Sequence, residues 1–366
     1  MARIKSAGPL GLRVSSALAL NSIAISTYLR HLFGQKLDPS WDADMEIGVL
    51  FWRRQFTKAL TYGDAAKGRR ILDSIQTETS DCYDVEVRSS MDPAGQWYLP
   101  CQRKTDATVL YFHGGGYAFY GAMSYRFGEM LAHHIGAPVF AVDYRLTPEH
   151  PHPAQADDAL AAWGHLTETV SPDDIVIVGD SAGGHMVLML LQELKAMRRA
   201  QPAGAIALSP WTDIGDSGPH LHANDRTDLV QGWMAVQFGT WLNPDGQYAR
   251  ADLSPISCDY SDCAPIYIQV GGREIFHQTA IEFAEVQGEK GAQLMLDVWP
   301  DMPHDFQLFD SSQNASTEAL LRIADAVRFF TGETECFSGN SRTVVSRSFG
   351  ARGCEPAPAG SPIEHS

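Results

Sequence analysis

The 366 residues, 44% hydrophobic and 20% charged, can bury a substantial core, which excludes a disordered or fibrous chain. Against 28 Lys and Arg stand 44 Asp and Glu, a formal charge of −16, so no basic excess is left for phosphates and nucleic acid is excluded as an expected partner. The six cysteines form no C-x-x-C pair and read as buried thiols of a reducing, cytoplasmic compartment rather than a disulfide framework or zinc site.

Residues 1–5 carry positive charge and residues 14–29 carry none, which resembles a leader or anchor only superficially. Ser15, Ser16, Asn21, Ser22, Ser26 and Thr27 interrupt the run, and the 16 residues between Arg13 and Arg30 fall short of a bilayer span. On a helix, Val14, Leu18, Ile25, Leu29 and Leu32 share one face. That face is expected to dock on the protein, with contact to a membrane as the alternative. From residue 41 to 75 the spacing of Ile47, Leu50, Phe51 and Leu60 is again helical. Residues 1–75 are therefore predicted to form a helical cap segment.

After a turn-rich stretch at 91–95, β-branched content and alternation predict strands at 108–112, 139–142, 175–178, 205–208, 266–270 and 294–298. Helices are predicted at 125–134, 155–166, 182–199, 279–288 and 317–330. This alternation gives an α/β fold with a mostly parallel, helix-covered sheet, a catalytic domain over 76–332. Residues 212–262, before the penultimate strand, are too long for a simple connection and predict a lid insertion. Trp211, Trp233, Phe238 and Trp241 are expected to crowd a substrate pocket there. The tail 333–366, rich in Ser, Gly, Pro and Arg, is expected to be disordered.

The chemistry-bearing residues follow the strands. Ile-Val-Ile-Val runs into Gly179-Asp180-Ser181-Ala182-Gly183-Gly184 and an apolar helix, the strand-turn-helix setting in which G-x-S-x-G presents a nucleophilic serine. Upstream, a strand ends in His113-Gly114-Gly115-Gly116, whose unhindered N–H groups can face a developing oxyanion. His113 is read as a brace for that loop. His304, after the last predicted strand, supplies a base. Glu274 is the carboxylate closest to the end of the penultimate strand, and Asp301 and Asp305 are alternatives less well placed to orient the ring. The H-x-H pairs at His150/His152 and His220/His222 lack further ligands, so no metal is expected, and nothing calls for an organic cofactor.

From about residue 107 to 331 the chain resembles the hormone-sensitive-lipase branch of the α/β-hydrolase serine esterases. The likeness rests on His113–Gly116, Gly179–Gly184, Asp143-Tyr144-Arg145-Leu146-Thr147-Pro148-Glu149-His150, Ser209-Pro210-Trp211 and Ser254-Pro255. It implies Ser181 as nucleophile, His304 as general base and acid, Glu274 as orienting carboxylate, and Gly114, Gly115 and Ala182 as oxyanion donors. Three departures stand out: Glu274 where many relatives have Asp, Thr147 where Ala is common, and His185-Met186 where Asn-Leu is frequent. The expected activity is hydrolysis of short to medium acyl esters of a small or medium apolar alcohol. Acyl transfer or lactone opening on the same serine is one alternative, and a non-catalytic ligand-binding homologue is another, disfavoured because serine, histidine and acid are all present.

Overall fold

Apolar runs without alternation, such as Ile-Val-Ile-Val, form strands only where both faces are covered. A computed structural model describes residues 3–78, 83–312, 314–337 and 345–349. Its main sheet comprises β1 (Val85–Met91), β2 (Ala94–Pro100), β3 (Thr108–Phe112), β4 (Val139–Val142), β5 (Ile175–Asp180), β6 (Gly204–Leu208), β7 (Ile266–Gly271), β8 (Leu294–Trp299) and β9 (Val345–Phe349). The spatial order is β9-β8-β7-β6-β5-β3-β4-β2-β1. Strands β3 to β8 pair in parallel, whereas β1, β2 and β9 join antiparallel.

The helices are α1 (Leu10–Leu32), α2 (Ala43–Thr61), α3 (Ala65–Leu72), α4 (Ala122–Ile135), α5 (Ala154–Thr167), α6 (Ala182–Ala196), α7 (Gly232–Leu242), α8 (Arg250–Leu253), α9 (His277–Glu289) and α10 (Asn314–Phe330). Alternate residues of β3 divide the core. Val109 and Tyr111 pack with Phe127 and Leu131 of α4 and Ile323 and Val327 of α10. Leu110 and Phe112 face the other way, toward Trp163 of α5, Leu191 of α6 and Phe283 of α9. Helices α7 and α8 lie between β6 and β7, within the long insertion.

Three features depart from the sequence reading. The hairpin β1–β2 had no apolar run to announce it, since most of β1 is exposed. Of the tail expected to be disordered, residues 345–349 form β9 against β8, while 338–344 and 350–366 lie outside the described residues. Most consequentially, α1 docks with the face opposite to the expected one. Its buried residues are Ser16, Ala19 and Thr27, whereas Val14, Leu18, Ile25, Leu29 and Leu32 are exposed.

Polar contacts explain that inversion. Glu46 of α2 is fully buried, and its carboxylate is met by Arg30, by His31 Nε2 at 2.8 Å and by the Leu37 N–H at 2.9 Å. At the other end Gln55 Nε2 donates to Ser16 Oγ (3.0 Å), which lies 2.7 Å from Ser74 Oγ. A buried carboxylate and amide must find partners, so the polar side of α1 turns inward and its apolar stripe outward.

Candidate active site

Ser181 lies between the end of β5 and the start of α6 with φ 54° and ψ −115°, a region that residues other than glycine rarely occupy. Its N–H donates to Leu208 O at 2.8 Å, which ties the turn to the end of β6. The turn closes only because its neighbours are small: a side chain at Gly183 would strike the Phe112 carbonyl. The hydroxyl is thus held at the sheet's C-terminal edge by backbone geometry.

His304, on the loop after β8, places Nε2 2.9 Å from Ser181 Oγ. Glu274, on the loop after β7, stands on the opposite side of the ring, with Oε1 3.6 Å from Nδ1. That is ion-pair spacing, longer than a hydrogen bond. Neither atom has another hydrogen-bond partner among the described residues. The remaining Glu274 oxygen accepts from Ser209 Oγ at 2.7 Å and from Gly271 N at 2.8 Å, which fixes the carboxylate. Asp305 Oδ2 lies 3.2 Å from Nε2, on the serine side. Asp301 is half-exposed and 3.5 Å from Arg273. Of these three carboxylates, only Glu274 stands behind the ring.

Burial opposes a charge on His304, but the Asp305 and Glu274 carboxylates outweigh it and hold the ring's pKa well above the ordinary imidazole value. Burial also pushes the carboxyls of Asp305 and Asp180 up, and Asp305 raises Asp180 further by like-charge repulsion. Tyr111 Oη donates to Asp180 at 2.6 Å beneath the elbow.

His113 braces its loop. Its ring is stacked between Tyr120 and Tyr144, each 4.0 Å away, and Nδ1 donates to Gly114 O. Burial lowers its pKa to about 3, so it is neutral. The backbone of Gly114 is directed at the Asp180 carboxylate, which departs from its expected role as a free oxyanion donor. The N–H groups of Gly115 and Gly116 have no acceptor among the described residues, and Ala182, first in α6, has none within the helix. Gly115 (φ 101°) and Gly116 (φ 62°) adopt conformations that suit glycine, and a side chain at Gly116 would overlap the Phe238 ring.

Asp228, in the insertion, escaped the sequence reading. Fully buried, it accepts from His304 N (3.0 Å) and Leu229 N (2.7 Å) through one oxygen and from Ile275 N (2.7 Å) through the other. It therefore clamps the histidine loop to the glutamate loop. Burial pushes its carboxyl up to about 7. Arg53 of α2 donates to the Asp228 carbonyl at 2.8 Å. No local signal could have marked it, because its two loop partners lie 76 and 47 residues away. His185 is likewise structural: Tyr117 Oη contacts Nδ1, Nε2 donates to Leu253 O at 2.7 Å, and burial lowers its pKa to about 4.

A cavity of about 120 Å³ opens over Ser181 and His304. Trp211 and Phe238 line it as expected, but Trp233 and Trp241 do not. Helix α7 turns Met234, Ala235, Phe238 and Leu242 inward, which leaves those two tryptophans off the lining face. Much of the wall comes instead from Trp52 and Phe56 of α2 and Leu72 of α3.

Residues 109–308 match a family model described as the alpha/beta hydrolase fold. The chain belongs to that family. A structure of an esterase from the bacterial hormone-sensitive lipase family superposes with TM-score 0.67 at 27% identity, covering 77% of this chain and 98% of that one. The chain is 31% identical over 247 residues to an acetyl-hydrolase of Streptomyces hygroscopicus, covering 65% of this chain and 80% of the relative. It is 29% identical to an ethyl acetate hydrolase of Pseudomonas putida, covering 75% of this chain and 88% of the relative. This chain is thus an esterase of the hormone-sensitive-lipase type, in the carboxylic-ester hydrolase class. No helix among the esterase's described residues is long and apolar enough to cross a membrane.

Proposed function

We propose that the esterase cleaves short to medium acyl esters of small or medium apolar alcohols through an acyl-enzyme on Ser181. The reading is carried by Ser181 Oγ, 2.9 Å from His304 Nε2 at the wall of the cavity. Neutral His304 takes the serine proton as Oγ attacks the ester carbonyl, and Glu274 stabilises the resulting imidazolium. The N–H groups of Gly115, Gly116 and Ala182 hold the tetrahedral oxyanion, while the Gly114 backbone keeps Asp180 in place. The imidazolium protonates the departing alcohol; water then attacks the acyl group with His304 again as base.

The cavity lining supports the substrate range. The cavity is walled by bulky side chains, Trp52, Phe56, Trp211 and Phe238 among them, which limit the acyl chain it takes. The names of the acetyl and ethyl acetate hydrolases support the short end of that range. Cys101, Cys258 and Cys263 form no disulfide among the described residues, although Cys101 is exposed rather than buried as expected; free thiols support a reducing, cytoplasmic setting. Graded p-nitrophenyl esters test the proposal, with a fluorophosphonate probe to mark the nucleophile. Expected are best kcat/KM between acetyl and hexanoyl and labelling of Ser181. Preferred turnover of long-chain emulsions would overturn the substrate range, and label on another residue would overturn the nucleophile.

A further inference from the structure

Helix α1 has 23 residues and so is about 34 Å long. One side is committed to the polar contacts with α2 and Ser74. The other presents Leu10, Leu18, Ile25, Leu29, Leu32 and Phe33, every one more than half exposed and Leu32 79% exposed. Single exposed leucines are ordinary, but six large apolar side chains exposed on one side of a helix form an interaction surface.

Charge identifies the partner. Residues 1–37 hold Arg3, Lys5, Arg13, Arg30 and Lys36 and no acidic residue, so all 44 Asp and Glu of the chain lie beyond them; with Arg30 committed to Glu46, the other four cations remain to flank the helix. A cationic segment on a protein of charge −16 faces an anionic surface with its apolar stripe outward. We propose that α1 lies in the plane of an anionic phospholipid bilayer and inserts this stripe at the headgroup boundary. An in-plane position needs a long stripe and cationic flanks, both present, and no spanning length. A second copy seated on the same face would instead set the two cationic segments against each other.

Vesicle sedimentation tests the surface, and because it reads binding alone it stands or falls separately from the chemistry assigned to Ser181. The full chain is mixed with phosphatidylcholine vesicles with or without phosphatidylglycerol. Wild type is expected to pellet with the anionic vesicles, less at raised salt, and the double variant Leu18→Glu/Leu29→Glu to bind at least about tenfold more weakly. The variant should hydrolyse soluble p-nitrophenyl acetate as wild type does, because none of its altered residues lines the cavity. Leu10→Ser/Leu32→Ser provides a milder second variant expected to weaken binding in the same direction. The proposal is overturned if wild type pellets with neither vesicle or if both variants bind as wild type does. It is also overturned if light scattering shows a dimer that the substitutions dissolve, with no vesicle binding.

Discussion

Helices α1 and α6 both carry apolar residues at helical spacing, yet the molecule treats them in opposite ways. In α6, Met186, Val187, Leu188, Leu190, Leu191 and Leu194 are all buried. In α1, the comparable stripe is exposed and small polar residues form the contact. The difference lies in the surroundings. Helix α6 packs its leucines against apolar residues of the sheet such as Ile177 and Ala207, whereas α1 meets the buried Glu46 and Gln55, whose hydrogen bonds must be met by polar side chains. Periodicity reveals that a helix has an apolar face but not which neighbour covers it.

The comparison predicts where substitutions matter. The largest effect is expected at the head of α6's turn: Ser181→Ala should remove activity by on the order of ten-thousandfold or more while leaving the melting temperature intact. Steady-state turnover and a thermal scan on the same protein check both halves. Within α6, Leu191→Ala leaves a hole in a fully buried site and should cost about 2–5 kcal/mol in a denaturant titration. An unaltered midpoint would contradict the packing assigned to this helix.

Glu274→Gln tests the positions behind the ring. It removes the charge that stabilises imidazolium, so kcat should fall by on the order of a hundredfold or more, with partial recovery in Glu274→Asp. Asp301→Asn should be mild, because that carboxylate faces Arg273 and solvent. A larger loss from Asp301→Asn than from Glu274→Gln would transfer the acid role.

The same contrast between local and distant information governs what could be read from the chain. Strands β3 and β5 announce themselves because burial on both faces demands uninterrupted apolar runs. The serine turn and the glycine loop were legible because each follows directly on such a strand, and His304 and Glu274 because each lies on the loop after a predicted strand. Strand β1 was not, since an edge with exposed side chains needs no hydrophobic signature. Composition alone puts Trp233 and Trp241 in the pocket, but the rotational setting of α7 is decided by its packing. The direction of the Gly114 backbone toward Asp180 is visible only in three dimensions. Asp228 could not be foreseen at all, for its role consists of two contacts across the fold.

Asp305→Asn probes the charge balance of the ring with a smaller effect. His304 must be neutral to take the serine proton, so activity is present above its raised pKa and lost as pH falls through it. Asp305 contributes the largest pull toward the protonated ring. Its replacement by Asn should move the acid limb of kcat/KM to lower pH and leave the alkaline plateau little changed. An unmoved limb would mean that the buried Asp305 carboxyl already carries a proton at that pH.

The smallest expected effect lies on α1. Leu18 has a helical position equivalent in kind to Leu191, and on sequence pattern alone both would be core residues. Exposure separates them: Leu191 is fully buried and Leu18 is 67% exposed. Leu18→Ala removes side-chain atoms that already contact water, so folding gains or loses little, and alanine slightly favours the helix. The stability change should therefore stay within about 0.5 kcal/mol, against several times that for Leu191→Ala. Matched denaturant titrations of the two variants decide it. A loss at Leu18 comparable to that at Leu191 would mean that a partner, such as a second copy of the chain, covers the stripe in solution, and the outward face of α1 would have to be reinterpreted as an interface.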